Sequence, residues 1–207
     1  MSATRLYLVR HGQTDWNLAG KLQGQTDIPL NETGRQQAKQ AKKLLGNLSF
    51  DAVYSSPLSR AVETAQLISG HSTLQIITDE RIKEIAFGQW EGCKPKEIGE
   101  AFSPFFFEPD AYRPTQGGES LPQLIARVSE FTAHIKSKHI GQTVLVTSHG
   151  TALHALLVHE LNLPMQDFWK IPLHNCSVAC LELEGEQFVL QNILAVDETD
   201  YLAKHLT

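Results

Sequence analysis

Leu6-Tyr7-Leu8-Val9-Arg10-His11-Gly12 and Val144-Leu145-Val146-Thr147-Ser148-His149-Gly150 carry one design twice in this chain. Each is a β-prone apolar run that stops at a polar residue followed by His-Gly. In an open parallel sheet, ligands bind beyond the carboxyl ends of the strands, where strand order reverses. If the two runs are neighbouring strands, both imidazoles face one crevice. The glycines let the backbone turn sharply and come close to a ligand. One His-Gly at a strand end says little; two at equivalent ends mark a site. Arg10 adds a fixed cation beside His11. Arg60, in Ser55-Ser56-Pro57-Leu58-Ser59-Arg60, falls in the first turn of an expected helix, a place that already favours anions. Arginine binds phosphate or carboxylate through two parallel hydrogen bonds. The four residues together predict an anion pocket.

Working outward from these runs, residues 31–46 read as an amphipathic helix. Ala38, Ala41, Leu44 and Leu45 recur at three and four, and Gly46 is a stop. Residues 51–55 are a short strand. Ser56 is expected to cap a helix with Pro57 at its first position, running to about Ser69. Residues 74–78 read as a strand, Ser120 as the cap of a helix to about Lys138, 143–147 as a strand and 152–161 as a helix. Residues 176–184 and 187–196 alternate apolar positions and meet across Gly185, as in a hairpin. Strands alternating with helices imply an α/β fold, a three-layer sandwich with a mainly parallel central sheet and helices on both faces. Residues 93–116 break the pattern. They hold Phe102, Phe105, Phe106 and Phe107 with Pro104, Pro109 and Pro114 and read as an insert within one domain spanning 1–207, covering the active site.

Composition narrows the function. A hydrophobic share of 42% and a charged share of 20% match globular usage and exclude a disordered or collagen-like chain. No apolar run approaches the about 20 residues of a membrane helix, and the N-terminus lacks the apolar stretch of a signal peptide. Eighteen basic against 23 acidic residues give a net charge of −5. That disfavours nucleic acid and anionic membranes as partners, since both require basic patches. Three cysteines without paired spacing speak for a reducing, cytoplasmic setting. Nucleotide-binding glycine loops and serine-hydrolase elbows are absent. His149, His154 and His159 are spaced by five, which turns them away from a common helix face, so no metal is expected there. Cys176 and Cys180 read as core residues, Trp16 and Trp90 as packing, and the 117–120 stretch as a turn and helix cap.

The run Arg10-His11-Gly12-Gln13-Thr14-Asp15-Trp16-Asn17 resembles the signature of the histidine phosphatase superfamily, also called phosphoglycerate mutase-like. Further matches follow in the family's order. They are Leu30-Asn31-Glu32-Thr33-Gly34, Ser55-Ser56 with Arg60-Ala61 and Thr64-Ala65, Glu84 with Gly88, Trp90, Glu91 and Gly92, then Gly117-Gly118-Glu119-Ser120 and Ser148-His149-Gly150. The chain is similar in particular to short bacterial members, among them broad-specificity and α-ribazole phosphatases. Asn31 stands where the family commonly has Ser or Thr.

The resemblance implies a phosphoglycerate mutase-like fold and a metal-independent phosphomonoesterase without cofactors. It would act on small phosphorylated metabolites through a phosphohistidine and release inorganic phosphate. His11 is implied as nucleophile, with Arg10, Arg60 and His149 giving positive charge to the phosphoryl oxygens; Asn17 and Gln23 are the neutral phosphate-binding candidates. Such transfer is mostly positioning and charge stabilisation. The leaving alkoxide needs an acid. The residues alone leave Asp79, Glu80, Glu84 and Glu91 open; the resemblance selects Glu84, with a pKa raised by burial or by the incoming phosphate.

The superfamily also holds mutases, which must bind a second anion. The insert offers only Lys94, Lys96 and Arg113 for that, so a phosphatase is favoured over a phosphoglycerate mutase and over a non-catalytic phosphate-binding module. The insert's phenylalanines read equally as a cover for an aromatic substrate and as plain packing. A homodimer is left open.

Overall fold

The computed structural model describes residues 3–196, save the side chain of Leu74. In chain order the strands are β1 (Arg5–Arg10), β2 (Ala52–Ser55), β3 (Ile77–Thr78), β4 (Thr143–Ser148), β5 (Val178–Glu184) and β6 (Gln187–Leu194). The helices are α1 (Asp15–Leu18), α2 (Glu32–Leu45), α3 (Ser59–Ser69), α4 (Pro95–Ile98), α5 (Ser103–Phe107), α6 (Leu121–Lys138) and α7 (Gly150–Glu160). The strands form one sheet in the order β3-β2-β4-β1-β5-β6. Neighbours from β3 to β1 are parallel; β5 runs antiparallel to both β1 and β6.

Period-two alternation divides the core into two layers. Leu6 and Leu8 of β1, Tyr54 of β2, and Val144 and Val146 of β4 pack with Leu124, Val128 and Phe131 of α6 and with most of α7. Val9, Val53 and Leu145 face the other way, onto Ala38 and Ala41 of α2 and Ala65 and Ile68 of α3. The sandwich is therefore as the alternation of elements predicts. Among the described residues no helix is long and apolar enough to cross a membrane.

Several boundaries differ from the sequence reading. Helix α6 begins where expected, with the Ser120 side chain accepting from the Gln123 amide and Gln123 Oε1 accepting in return from the Ser120 amide. Helix α3 does not. Pro57 and Leu58 stay outside it, and Leu58 is the residue at its N-cap. The cap comes from another loop: Asp27 Oδ1 accepts from Ser59 N at 2.9 Å and Ser59 Oγ at 2.7 Å. Helix α7 starts at Gly150, earlier than its apolar pattern, because Glu84 supplies acceptors for its first amides. Residues 73–75 form a 3₁₀ turn in which Gln75 Oε1 accepts from Ser72 N and Oγ, so only Ile77–Thr78 pair with β2. The hairpin across Gly185 forms, with Glu184 opposite Gln187.

The phenylalanine-rich insert is mostly core. Phe102 and Phe105 are buried and stacked at 4.8 Å between ring centroids, within reach of Phe87, Trp90 and Tyr112. Packing explains these rings; the aromatic-substrate reading loses them and retains only Phe106 and Phe107, which are exposed. Trp90 packs as expected, and Trp16 lies against Gly92 and Lys21. Cys93, Cys176 and Cys180 are free thiols. Cys176 is buried in the core but precedes β5, in a left-handed turn with φ of 59°.

Candidate active site

Strands β1 and β4 are adjacent and parallel, in register from Arg5 opposite Thr143 to Arg10 opposite Ser148. His11 and His149 therefore emerge side by side. The His11 amide donates to Ser148 O at 2.9 Å, and the ring centroids stand 5.1 Å apart. Both side chains are buried. The turn after β1 needs Gly12 and Gly34 at its contact with α2: a Cβ on Gly12 would meet Gly34 O at 2.4 Å. The Gly12 amide donates to Thr64 Oγ1, which itself donates to Arg60 O, tying α3 to this turn. From the far side, Asn175 Nδ2 donates to His11 O at 2.8 Å.

The hydrogen bonds fix the state of each imidazole. His11 Nδ1 lies 2.7 Å from Gly12 O, and a carbonyl only accepts, so Nδ1 carries the proton. Burial holds the His11 pKa well below its usual value, helped by Arg60 and Arg10. The ring is then neutral, with a lone pair on Nε2. His149 is the reverse. Its Nδ1 accepts from Arg60 Nε at 3.2 Å, which places the proton on Nε2, 2.7 Å from Ser56 Oγ. Burial first, then Arg60 and the His11 ring, lower its pKa as well.

Arg60 is fully buried. Burial brings its pKa down to about 10, so it stays charged at neutral pH. It also donates to Gly24 O and Thr26 O, both at 2.8 Å. The loop bearing those carbonyls is gathered by Glu91, whose oxygens accept from Gln25 N, Thr26 N, Thr26 Oγ1 and Phe87 N. Gly24 allows this approach: its φ is +53°, and a Cβ there would collide with the Glu91 carboxylate. Arg10 donates to Leu173 O at 2.8 Å, and its guanidinium lies against Gly150.

Of the four carboxylates considered for the acid, three are otherwise engaged or remote. Asp79 pairs with Arg81, Glu80 with Lys83 in solvent, and Glu91 braces the loop just described. Glu84 is buried at the amino end of α7. One oxygen accepts from Ile85 N and Ala152 N at 2.9 and 3.1 Å, the other from Thr151 N at 3.2 Å. Asn17 and Gln23 meet at Thr14, whose hydroxyl lies 3.1 Å from Asn17 Oδ1 and 2.9 Å from Gln23 Oε1. With their oxygens turned to Thr14, both amides keep an NH₂ group to offer.

Sequence reasoning missed the supporting residues. Thr64 lay in a recognised run without a role, Glu91 was read as a candidate acid and Ser56 as a helix cap rather than as braces; Asn175 and Arg127 lay in no recognised run. Arg127 Nη1 and Nη2 donate to the carbonyls of Arg81, Lys83 and Glu84 while its guanidinium grips Glu119. Only a run of carbonyls lacking helix or strand partners signals the need for such a donor, and that is invisible before folding. Among the described residues no group of three or more His, Cys, Asp or Glu side chains is arranged to hold a metal ion.

The chain is similar to known proteins over nearly its whole length. The model of the histidine phosphatase superfamily (branch 1) matches residues 6–195. Phosphoserine phosphatase 1 of Hydrogenobacter thermophilus is 35% identical over 190 residues, covering 90% of each chain. The uncharacterized phosphatase PhoE of Bacillus subtilis is 38% identical over 189 residues, 91% of this chain and 93% of its own. A phosphoserine phosphatase of Entamoeba histolytica, solved as a mutant in complex with phosphoserine, superposes with a TM-score of 0.83 at 31% identity, over 93% of this chain and 98% of its own. With paired imidazoles at two adjoining strand ends and a family match across nearly its whole length, the chain belongs to branch 1 of the histidine phosphatase superfamily.

Proposed function

We propose that this chain, a phosphomonoesterase of its family, hydrolyses small phosphorylated metabolites in two steps through a phosphohistidine at His11. The observation that carries the reading is the paired imidazole geometry. His11 presents an unprotonated Nε2, and His149 carries an Nε2–H, beside Arg10 and the buried Arg60, which stays charged at neutral pH.

In the first step His11 Nε2 attacks phosphorus, and the ester oxygen leaves with a proton from Glu84. The bond to Gly12 O holds the remaining Nδ1–H while Nε2 carries the phosphoryl group. Arg10 and Arg60 bring positive charge to the equatorial oxygens. His149, a neutral ring rather than the cation expected from the sequence, turns its Nε2–H from Ser56 Oγ to donate to one of them, and the amides of Asn17 and Gln23 add further neutral donors. In the second step a water attacks the phosphohistidine, returning a proton to Glu84 and releasing inorganic phosphate. Splitting one displacement into two is the gain from covalent catalysis. Cations already supply the charge a metal would bring, so the reaction is expected to proceed without one.

The substrate class is a phosphate monoester, and the relatives that are phosphoserine phosphatases make phosphoserine the first compound to try. The insert at 93–116 is proposed to border the substrate's body. It reaches the edge of the site through Trp169, which donates to Phe105 O and packs on His154, itself bonded to Gly150 O. A cytoplasmic location fits the free thiols; a homodimer is an open part of the proposal.

The test is a phosphate-release screen over phosphoserine, 3-phosphoglycerate, sugar phosphates and p-nitrophenyl phosphate, with and without EDTA. Release that survives EDTA is expected. Isomerisation of 3-phosphoglycerate with 2,3-bisphosphoglycerate, and no release, would make the chain a mutase. Binding without turnover of any ester would make it a phosphate-binding module.

A further inference from the structure

The four carbonyls from Arg81 to Glu84 each accept from a side chain elsewhere in the chain. Arg127 Nη1 donates to Arg81 O and Lys83 O, both at 2.7 Å, and Nη2 to Glu84 O at 3.0 Å. Ser148 Oγ donates to Ile82 O at 2.7 Å, and Gln25 Nε2 to Glu84 O at 3.2 Å. Arg127 completes its set on Glu119, with Nε and Nη2 at 2.7 and 2.8 Å from its two oxygens. An arginine has five N–H groups, and here each has an acceptor.

Two consequences follow. Glu119 neutralises the guanidinium, whose side chain is only 20% exposed, so Arg127 offers no spare charge to a phosphate. And the strip that delivers the Glu84 carboxyl runs out of a single 3₁₀ turn, Glu80–Ile82, with its four carbonyls taken by side chains, one arginine supplying three of those bonds.

We infer that Arg127 is a positioning residue for Glu84, setting where its carboxyl sits relative to the departing oxygen. The inference rests on Glu84 being the acid proposed above. Removing Arg127 leaves three carbonyls without these donors and lets the strip relax. Misplacing a reacting group by about 1 Å is enough to cost about 10²-fold in rate.

The leaving group separates this role from a merely structural one. An alkoxide such as that of phosphoserine needs a proton to depart; p-nitrophenolate does not. The ratio of kcat/KM for the two esters reads Glu84 directly, because kcat/KM covers the steps up to transfer onto His11. Arg127→Ala is expected to lower kcat/KM for phosphoserine about 10²-fold, and for p-nitrophenyl phosphate by less than about 10-fold. Arg127→Lys, with three donors in place of five, falls between. Glu84→Gln shows the same discrimination more strongly, and Arg127→Ala adds nothing to the ratio in that background. Equal losses on both esters in Arg127→Ala, or none, overturn the inference while leaving Glu84 as acid. Equal losses in Glu84→Gln remove Glu84 as the acid and the inference with it. If Arg127→Ala does not fold, the ratio in Arg127→Lys decides.

Discussion

The ends of β1 and β4 are near twins in sequence, and their imidazoles are bonded in opposite senses. His11 gives its Nδ1–H to the carbonyl of the very next residue and needs no distant partner to expose Nε2. His149 has its Nδ1 taken by Arg60 from α3 and turns its Nε2–H toward Ser56 at the end of β2. Burial and the two arginines keep both rings neutral. One dipeptide therefore yields a nucleophile at one strand end and a donor at the other. The chemistry of each end is set by what the neighbouring strand and helix bring, not by the motif.

The largest break in this pairing is His11→Ala. It removes the attacking nitrogen and is expected to lower kcat on the order of 10⁴-fold or more, with the thermal unfolding transition retained. Steady-state turnover of the best ester in the screen measures it. His149→Ala removes a donor but leaves the nucleophile. A loss of about 10²–10³-fold is expected, with phosphohistidine still forming, more slowly, in single-turnover quench. Equal losses in the two variants would erase the distinction between the strand ends. Ser56→Ala sharpens the comparison further, since it tests whether Ser56 orients the His149 donor. Removing one such hydrogen bond is expected to cost at most about 10-fold in kcat/KM.

The smallest effect concerns pH. Burial holds the His154 pKa at about 4; Gly150 O and Ile171 O, within hydrogen-bond distance of its ring, pull it up, and Arg10 pushes it down with burial. In the unfolded chain the ring titrates near 6.5. Between those values the unfolded state binds the extra proton, so stability is full above pH 6.5 and falls as pH drops toward 4. His11 and His149 act with the same sign. Urea midpoints of wild type and His154→Gln at pH 7 and pH 5 measure the contribution. The variant is expected to show the shallower decline, by up to about 1.4 kcal/mol per pH unit. A parallel decline would mean that His154 does not titrate in this window.

What was legible in the sequence follows from range. The strand ends near His11 and His149, the cap at Ser120 and the stop at Gly46 are written in residues a few positions apart; the cap and stop formed as read, and the two strands run one residue further, to Arg10 and Ser148. The starts of α3 and α7 were misread because their first amides find acceptors on Asp27 and Glu84, far away in the chain. Ser56, read as a cap, faces His149 instead. The insert posed the same difficulty. Phe102, Phe105, Phe106 and Phe107 are alike in sequence, yet two are core and two are exposed, a division made by Phe87 and Trp90 before the insert and Tyr112 within it, which pack on the buried pair. The residues of the site were visible as types; their protonation states and braces depended on partners that only folding supplies.

The decisive measurement is the position of phosphorus on the trapped enzyme. Single-turnover quench with labelled ester, followed by peptide mapping and ³¹P NMR under alkaline conditions, distinguishes the two ring nitrogens and the two histidines. An acid-labile phosphoryl group on Nε2 of His11 is the expected result. Label on His149, on Nδ1 of His11, or turnover with no phosphoenzyme at all would contradict the assignment of nucleophile and donor to the two strand ends.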